Sequence, residues 1–173
     1  MIHFASRRTG DSSLRVASLL SSMSAFLLVV FAGIGVARAE SDLVVKTSRM
    51  SVKATIDALA DDLTKKGISV LARIDHAAGA KAAGMSLPPT ELIIFGNPKL
   101  GTPLMQSNRL IGLDLPMKVL AYEDADGSVK IAYTAPAALA KRFGVGDKAE
   151  IVVTMSKALD KLTSALEKPA TSP

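Results

Sequence analysis

Cysteine is absent from the 173 residues, which excludes disulfide staples, thiolate metal centres and thiol nucleophiles together. Histidine is scarce as well: of two in the chain, only His76 lies beyond the N-terminal segment, so no multi-histidine metal site forms within one subunit. Aromatic residues make up 4%, and Tyr122 and Tyr133 read as packing residues of facing strands rather than as a stacking platform. The chain also lacks the Gly-Lys-Ser/Thr ending of a Walker A loop, the G-x-G-x-x-G spacing of a dinucleotide fold and the G-x-S-x-G elbow of a hydrolase. Any chemistry must be built from other groups.

What is present begins with a targeting pattern. Arg7, Arg8 and Arg15 form a basic start, residues 16–36 are apolar and uncharged, and Ala37-Arg38-Ala39 is an A-x-A site, which together predict a signal peptide over 1–39 cleaved before Glu40. A run of about 20 apolar residues is also long enough for an uncleaved anchor, but the A-x-A site favours cleavage. The paired arginines are followed by Thr9-Gly10-Asp11 where a twin-arginine signal wants an apolar residue, so the general secretion route is preferred. A periplasmic or secreted location, with no membrane contact after cleavage, is the expectation. Without residues 1–39 the net charge falls from +5 to +2, because Arg7, Arg8, Arg15, Arg38 and Asp11 leave with them. The mature chain then has no basic stripe of the kind nucleic-acid binding requires.

Along residues 40–168, one domain is expected, with 169–173 a disordered tail. Residues 43–47 (LVVKT) are short and β-branched, as a strand wants. Ser48 or Ser51 caps a helix whose apolar positions Val52, Ile56, Leu59 and Leu63 recur at helical spacing, and Gly67 closes it. Residues 68–74 alternate as a second strand, 77–84 form at best a short helix, and the continuous apolar run 90–95 reads as a strand covered on both faces. Asp126-Gly127 between the alternating stretches 116–123 and 128–134 marks a hairpin, with Met117, Val119 and Ala121 on one face. Pro136 opens a short helix to Phe143, and an amphipathic helix spans about 147–167. The predicted fold class is α+β: a mainly antiparallel sheet of about five strands with helices packed on one face.

The stretch ELIIFGNPKLGTPLM (91–105) is the most distinctive in the chain. Asn97-Pro98 and Gly101-Thr102-Pro103 are turn chemistry, which predicts a loop with a specific backbone path. Asp75, His76 and Glu91 stand at the ends of two neighbouring strands and form the one set with acid, base and ligand character. Met85, Met105, Met117 and Met155 carry thioethers that suit Cu(I), yet they follow no M-x-x-M spacing, and core filling is preferred.

Taken together, LPPTEL (87–92), IFGNPKLGTPLM (94–105), LDLP (113–116) and VLAYED (119–124), with Asp75-His76, Tyr133 and Pro136, resemble the bacterial family called domain of unknown function 302 over about residues 43–143. The resemblance implies a compact α+β fold of the TATA-binding-protein-like class and a homodimer. It assigns no activity and no cofactor. Recurring family positions fall on His76, Glu91, Phe95, Gly96, Asn97, Pro98, Gly101, Thr102, Pro103 and Met105.

The first functional reading is therefore a non-enzymatic, exported module for small-ligand binding or assembly. In it, the 91–105 segment closes one end of a groove between sheet and helix, or joins a dimer interface. The candidate ligand-binding residues are His76, Glu91, Asn97, Gly101 and Thr102, with no metal assigned. A second reading is an enzyme in which His76 is the base, Glu91 its partner, and Asn97 with the Gly101 and Thr102 N–H groups stabilises negative charge. A third is a metal or haem protein using His76 with Met105.

Overall fold

A computed structural model describes residues 42–167. The expected signal segment 1–39, its cleavage before Glu40 and the tail 169–173 lie outside the described residues.

Five strands, β1 (Leu43–Thr47), β2 (Ser69–Asp75), β3 (Thr90–Gly96), β4 (Met117–Glu123) and β5 (Val129–Thr134), form one sheet in the order β1-β5-β4-β3-β2. All neighbours run antiparallel. The α+β expectation holds. The β4–β5 hairpin turns at Gly127, whose φ of 76° is the left-handed conformation that glycine adopts without strain.

Among the described residues, five α-helices accompany the sheet, α1 (Val52–Lys65), α2 (His76–Ala82), α3 (Pro98–Ser107), α4 (Pro136–Phe143) and α5 (Ala149–Ser164), with short 3-10 turns at Arg109–Leu113 and Gly146–Lys148. Of the two serines that could cap α1, Ser51 does so, accepting from the Ala54 N–H. Ser48 is buried instead, 2.7 Å from the Thr55 hydroxyl, with its own N–H on the Val129 carbonyl. Gly67, at φ 67°, ends the α1 segment as its position predicted.

The core lies between one face of the sheet and α1, α4 and α5. Ile93, Val119, Ala121 and Ile131 from the strands meet Ile56, Leu59 and Leu63 of α1 and Leu159 and Leu162 of α5, all buried. Truncating one such leucine to alanine costs about 2–5 kcal/mol. Each buried side-chain polar atom among the described residues has a partner, so the core carries no desolvation debt.

Two expectations are corrected. The run 90–95 is covered on one face only: Ile93 and Phe95 are buried, whereas Leu92 and Ile94 point to the other face and are half-exposed. The run reads as continuous because that second face is apolar too, with Leu120, Ala132 and Val45 in register with it. The second correction concerns 98–107, expected to be a loop and found to be helix α3. Asn97 caps it and Pro98 occupies its first turn, where a missing N–H costs nothing. Pro103 sits inside α3, and Gly101 has ordinary helical backbone.

Candidate functional site

Helix α3 leaves β3 at Asn97. The Asn97 side-chain oxygen accepts the Lys99 N–H at 3.0 Å, and its carbonyl accepts the Leu100 and Gly101 N–H groups at 2.9 and 3.0 Å. The first-turn donors are thereby consumed by the cap. The charge-stabilising role considered for the Gly101 N–H has no free donor behind it, and Thr102 follows within the same helix.

A cleft of about 330 Å³ opens between α3, α5 and the neighbouring ends of β3 and β4. Its floor is Phe95 and Met117, the core-facing ends of β3 and β4. One wall is Leu100, Gly101 and Met105 of α3, and the other is Met155, Leu159 and Leu162 of α5. Leu115 and Pro116 close the side toward β4, and Ile68, Ser69 and Leu71 form the rim at β2. The strand pairing slips between Val70 and Ala72, and Leu71, 58% exposed, stands in that irregularity at the edge of the cleft.

Among the described residues, none that lines the cleft is ionisable. The polar side chains are Ser69, Asn97 and Thr102, all exposed at the rim, while three methionines, Met105, Met117 and Met155, line the cleft. Thioether side chains are flexible and polarizable, and surfaces rich in them adapt to irregular apolar shapes. In the sequence, Met117 and Met155 read as core filling, and Met105 as a family position and a candidate metal or haem ligand. They are spread over three elements, so their convergence had no signal at the level of spacing.

The expected site residues divide. Asn97, Gly101 and Thr102 line the cleft. His76 and Glu91 lie at the other end of the β2–β3 pair, about 20 Å away along a seven-residue strand. Thus His76, Glu91 and Asn97 do not converge, and a single chain does not bring His76 and Met105 to a common metal or haem iron.

Glu91 has a structural explanation where it stands. Its side chain is 12% exposed and accepts from Arg73 Nε at 2.8 Å and Nη2 at 2.7 Å. Arg73 Nη2 also reaches Asp57 of α1 at 2.8 Å, and Asp57 accepts from Lys53. This chain of charges ties α1 to β2 and β3. The hydrogen bond to Glu91 is the main cause that raises the Arg73 pKa, and hydrogen bonds from Lys53 and then Arg73 hold the Asp57 carboxyl below its ordinary value. His76 is exposed at the first turn of α2, whose cap is the Asp75 carboxylate on the Ala78 N–H. Among the described residues no three of His, Asp or Glu stand together as a metal site, and no helix is long and apolar enough to cross a membrane.

An α+β domain with five antiparallel strands and an apolar cleft beside its third helix is the class this chain represents. It belongs to the family described as domain of unknown function DUF302, whose model matches residues 44–168. A crystal structure of an uncharacterized conserved DUF302 protein from Bacillus stearothermophilus shares the fold, with a TM-score of 0.63 at 22% identity over 73% of this chain and 96% of that one. Sequence relatives include the fluoride-specific ion channel FluC 1 of Brucella suis biovar 1, 50% identical over 114 residues, and a protein of the same name from Brucella abortus biovar 1 at the same identity. The matched stretch is 66% of this chain and 45% and 42% of those proteins, so the chain spans less than half the length of the curated relatives.

Proposed function

We propose that this domain is a non-enzymatic binding module that holds a small apolar molecule in the cleft between α3, α5 and the ends of β3 and β4. The observation that carries the reading is the lining: a ligand-sized concavity of about 330 Å³ with no ionisable side chain among the described residues that line it, eight of which come from the 94–105 stretch that marks the family. Pockets for small molecules run from about 300 to 1,000 Å³ and are mostly apolar with a few placed polar groups. At about 0.8 kcal/mol per buried methylene, set against an association cost of about 4 kcal/mol at its lower bound, an occupant of about ten methylenes binds with a Kd of about 1 mM at the tightest, before any polar contact is added.

The module acts after export through residues 1–39, in the periplasm or outside the cell. As its assembly state we propose a homodimer through the uncovered sheet face, where Leu92, Ile94 and Leu120 are half-exposed. Fluoride conduction is not carried over. That name belongs to relatives more than twice as long as the matched stretch.

The test is a fluorescence titration with N-phenyl-1-naphthylamine, which brightens in apolar sites. The reading expects saturable enhancement with the native protein and at least about tenfold weaker binding in Gly101→Leu and Ala158→Phe. Circular dichroism should show both variants folded, and His76→Ala should behave as native. Equal dye binding in the filled variants would remove the cleft from the function.

A further inference from the structure

The proposed ligand class can be narrowed by the charges that adjoin the lining residues in sequence, an inference that rests on the cleft being a binding site. Lys99 lies between the lining residues Pro98 and Leu100, and Lys161 of α5 lies one turn from Ala158 and beside Leu162. Both are exposed, and neither forms an ion pair with a carboxylate among the described residues. On α5, Lys161 falls on the flank of Ala158, away from the flank where Asp160 meets Lys46 at 2.7 Å.

The carboxylates next in sequence to lining residues are already engaged. Asp114, beside Leu115, accepts from Arg142 at 2.9 Å, and Asp160, beside Leu159, is held by Lys46. The hydrogen bond from Lys46 is the first cause keeping the Asp160 carboxyl below its ordinary value. Lys118, beside Met117, is held on the Asp114 and Pro116 carbonyls, and Lys157, beside Ala158, lies one position further round α5 from the lining face. Around an uncharged interior the local balance is thus positive, with Lys99 and Lys161 the cations on the flanks of the lining and the adjacent anions engaged.

A neutral interior flanked by lysines is the complement of an apolar tail carrying one negative head group. We propose that the cleft binds an anionic single-chain amphiphile, the tail against Met105, Met117 and Met155 and the head at Lys99 and Lys161. At about 30 Å³ per non-hydrogen atom, the share of a water molecule in the liquid, a cleft of 330 Å³ takes about ten carbons. One medium-length acyl chain fits. Two chains, or a sterol-sized ring system, do not. The chain is either that of a free fatty acid or one acyl chain of an anionic membrane lipid whose second chain stays in the bilayer, and the two share this chemistry.

The test uses protein purified after expression of the full chain, loaded with N-phenyl-1-naphthylamine and challenged with decanoate, decanol and decyltrimethylammonium. Decanoate is expected to displace the dye at about threefold to tenfold lower concentration than decanol, as two exposed charge contacts provide, and the cation least effectively. This preference should vanish in Lys99→Gln/Lys161→Gln and in about 1 M salt, where the screening length is about 3 Å. Decanol displacement should not change in that variant, which also controls for its fold.

Sedimentation with vesicles containing phosphatidylglycerol, but not with pure phosphatidylcholine vesicles, would assign the tail to a membrane lipid if decanoate blocks it. Displacement by decanoate without sedimentation would assign it to a free acid. Decanol matching decanoate while the dye still binds would overturn the head-group inference and leave the apolar cleft standing. Failure of every amphiphile and of the dye would instead sink the binding reading itself.

Discussion

Replacing Gly101 by alanine adds one methyl group inside α3, and the structure fixes what that group meets. The glycine has helical backbone, and a Cβ built there would approach one atom, Leu115 Cδ1, at 3.9 Å, an ordinary contact. Glycine in a helix interior is less favourable than alanine by about 0.5–1 kcal/mol. Gly101→Ala should therefore stabilise the domain by about that amount, a rise of about 2–4 °C in melting midpoint at this size.

The same methyl occupies about a tenth of the cleft, since it takes about 30 Å³ of 330 Å³. An occupant that fills the space loses up to about one methylene of burial, about 0.8 kcal/mol or fourfold in affinity. A glycine that weakens its own helix while keeping a wall of the cleft open is placed for the cleft. Urea unfolding of both proteins, with dye titration alongside, separates the two effects. A loss of 1 kcal/mol or more on Gly101→Ala would refute this and return Gly101 to a packing or backbone role.

Glu91→Ala should cost about 1–2 kcal/mol, between the values for exposed and buried ion pairs, because it leaves Arg73 with Asp57 alone. Dye binding at the far end of the sheet should be unchanged, as equilibrium unfolding and titration of the same samples will show. His76→Ala should stay within about 0.5 kcal/mol of native in urea, as an exposed residue without a structural partner does. Asp57, Asp147 and Asp160 have carboxyl pKa values lowered, by hydrogen bonds first from Lys53, Ser107 and Lys46 respectively. The unfolded state therefore binds more protons in the acid range, so their contribution is full above the ordinary carboxylate value near 3.8 and is lost as pH falls through the lowered values. Urea midpoints should decline from pH 5 toward pH 2, and Asp160→Asn should flatten part of that decline.

Periodicity made most of the fold legible. The alternation in 117–121 and 129–133 and the Asp126-Gly127 turn placed β4 and β5 with their buried faces correct, and Pro136 placed α4 to the residue. Helix α3 was hidden by Gly101 and Pro103, both strong loop signals. The opposing signal, Asn97 as cap followed by proline in the first turn, was weaker only because the capping geometry depends on the chain leaving β3 at that point. The run 90–95 misled because apolar residues on an uncovered sheet face look like those in a core.

The cleft was legible in one part. Asn97, Gly101 and Thr102 stood out by type, and they line it. Leu159 and Leu162, by contrast, read as ordinary core positions of an amphipathic helix, and Leu71 depends on a pairing irregularity in β2. His76 and Glu91 stood out because they are chemically versatile, but chemical versatility does not bring two strand ends to the cleft.

The most direct measurement follows the methyl resonances of 13C-methyl-methionine protein during a decanoate titration. Met105, Met117 and Met155 line the cleft, whereas Met50 and Met85 do not. Saturable shifts confined to the first three are the expected result. Shifts at Met85 or Met50 with the cleft methyls unmoved, or no shift at any methionine, would contradict the assignment of this cleft as a binding site.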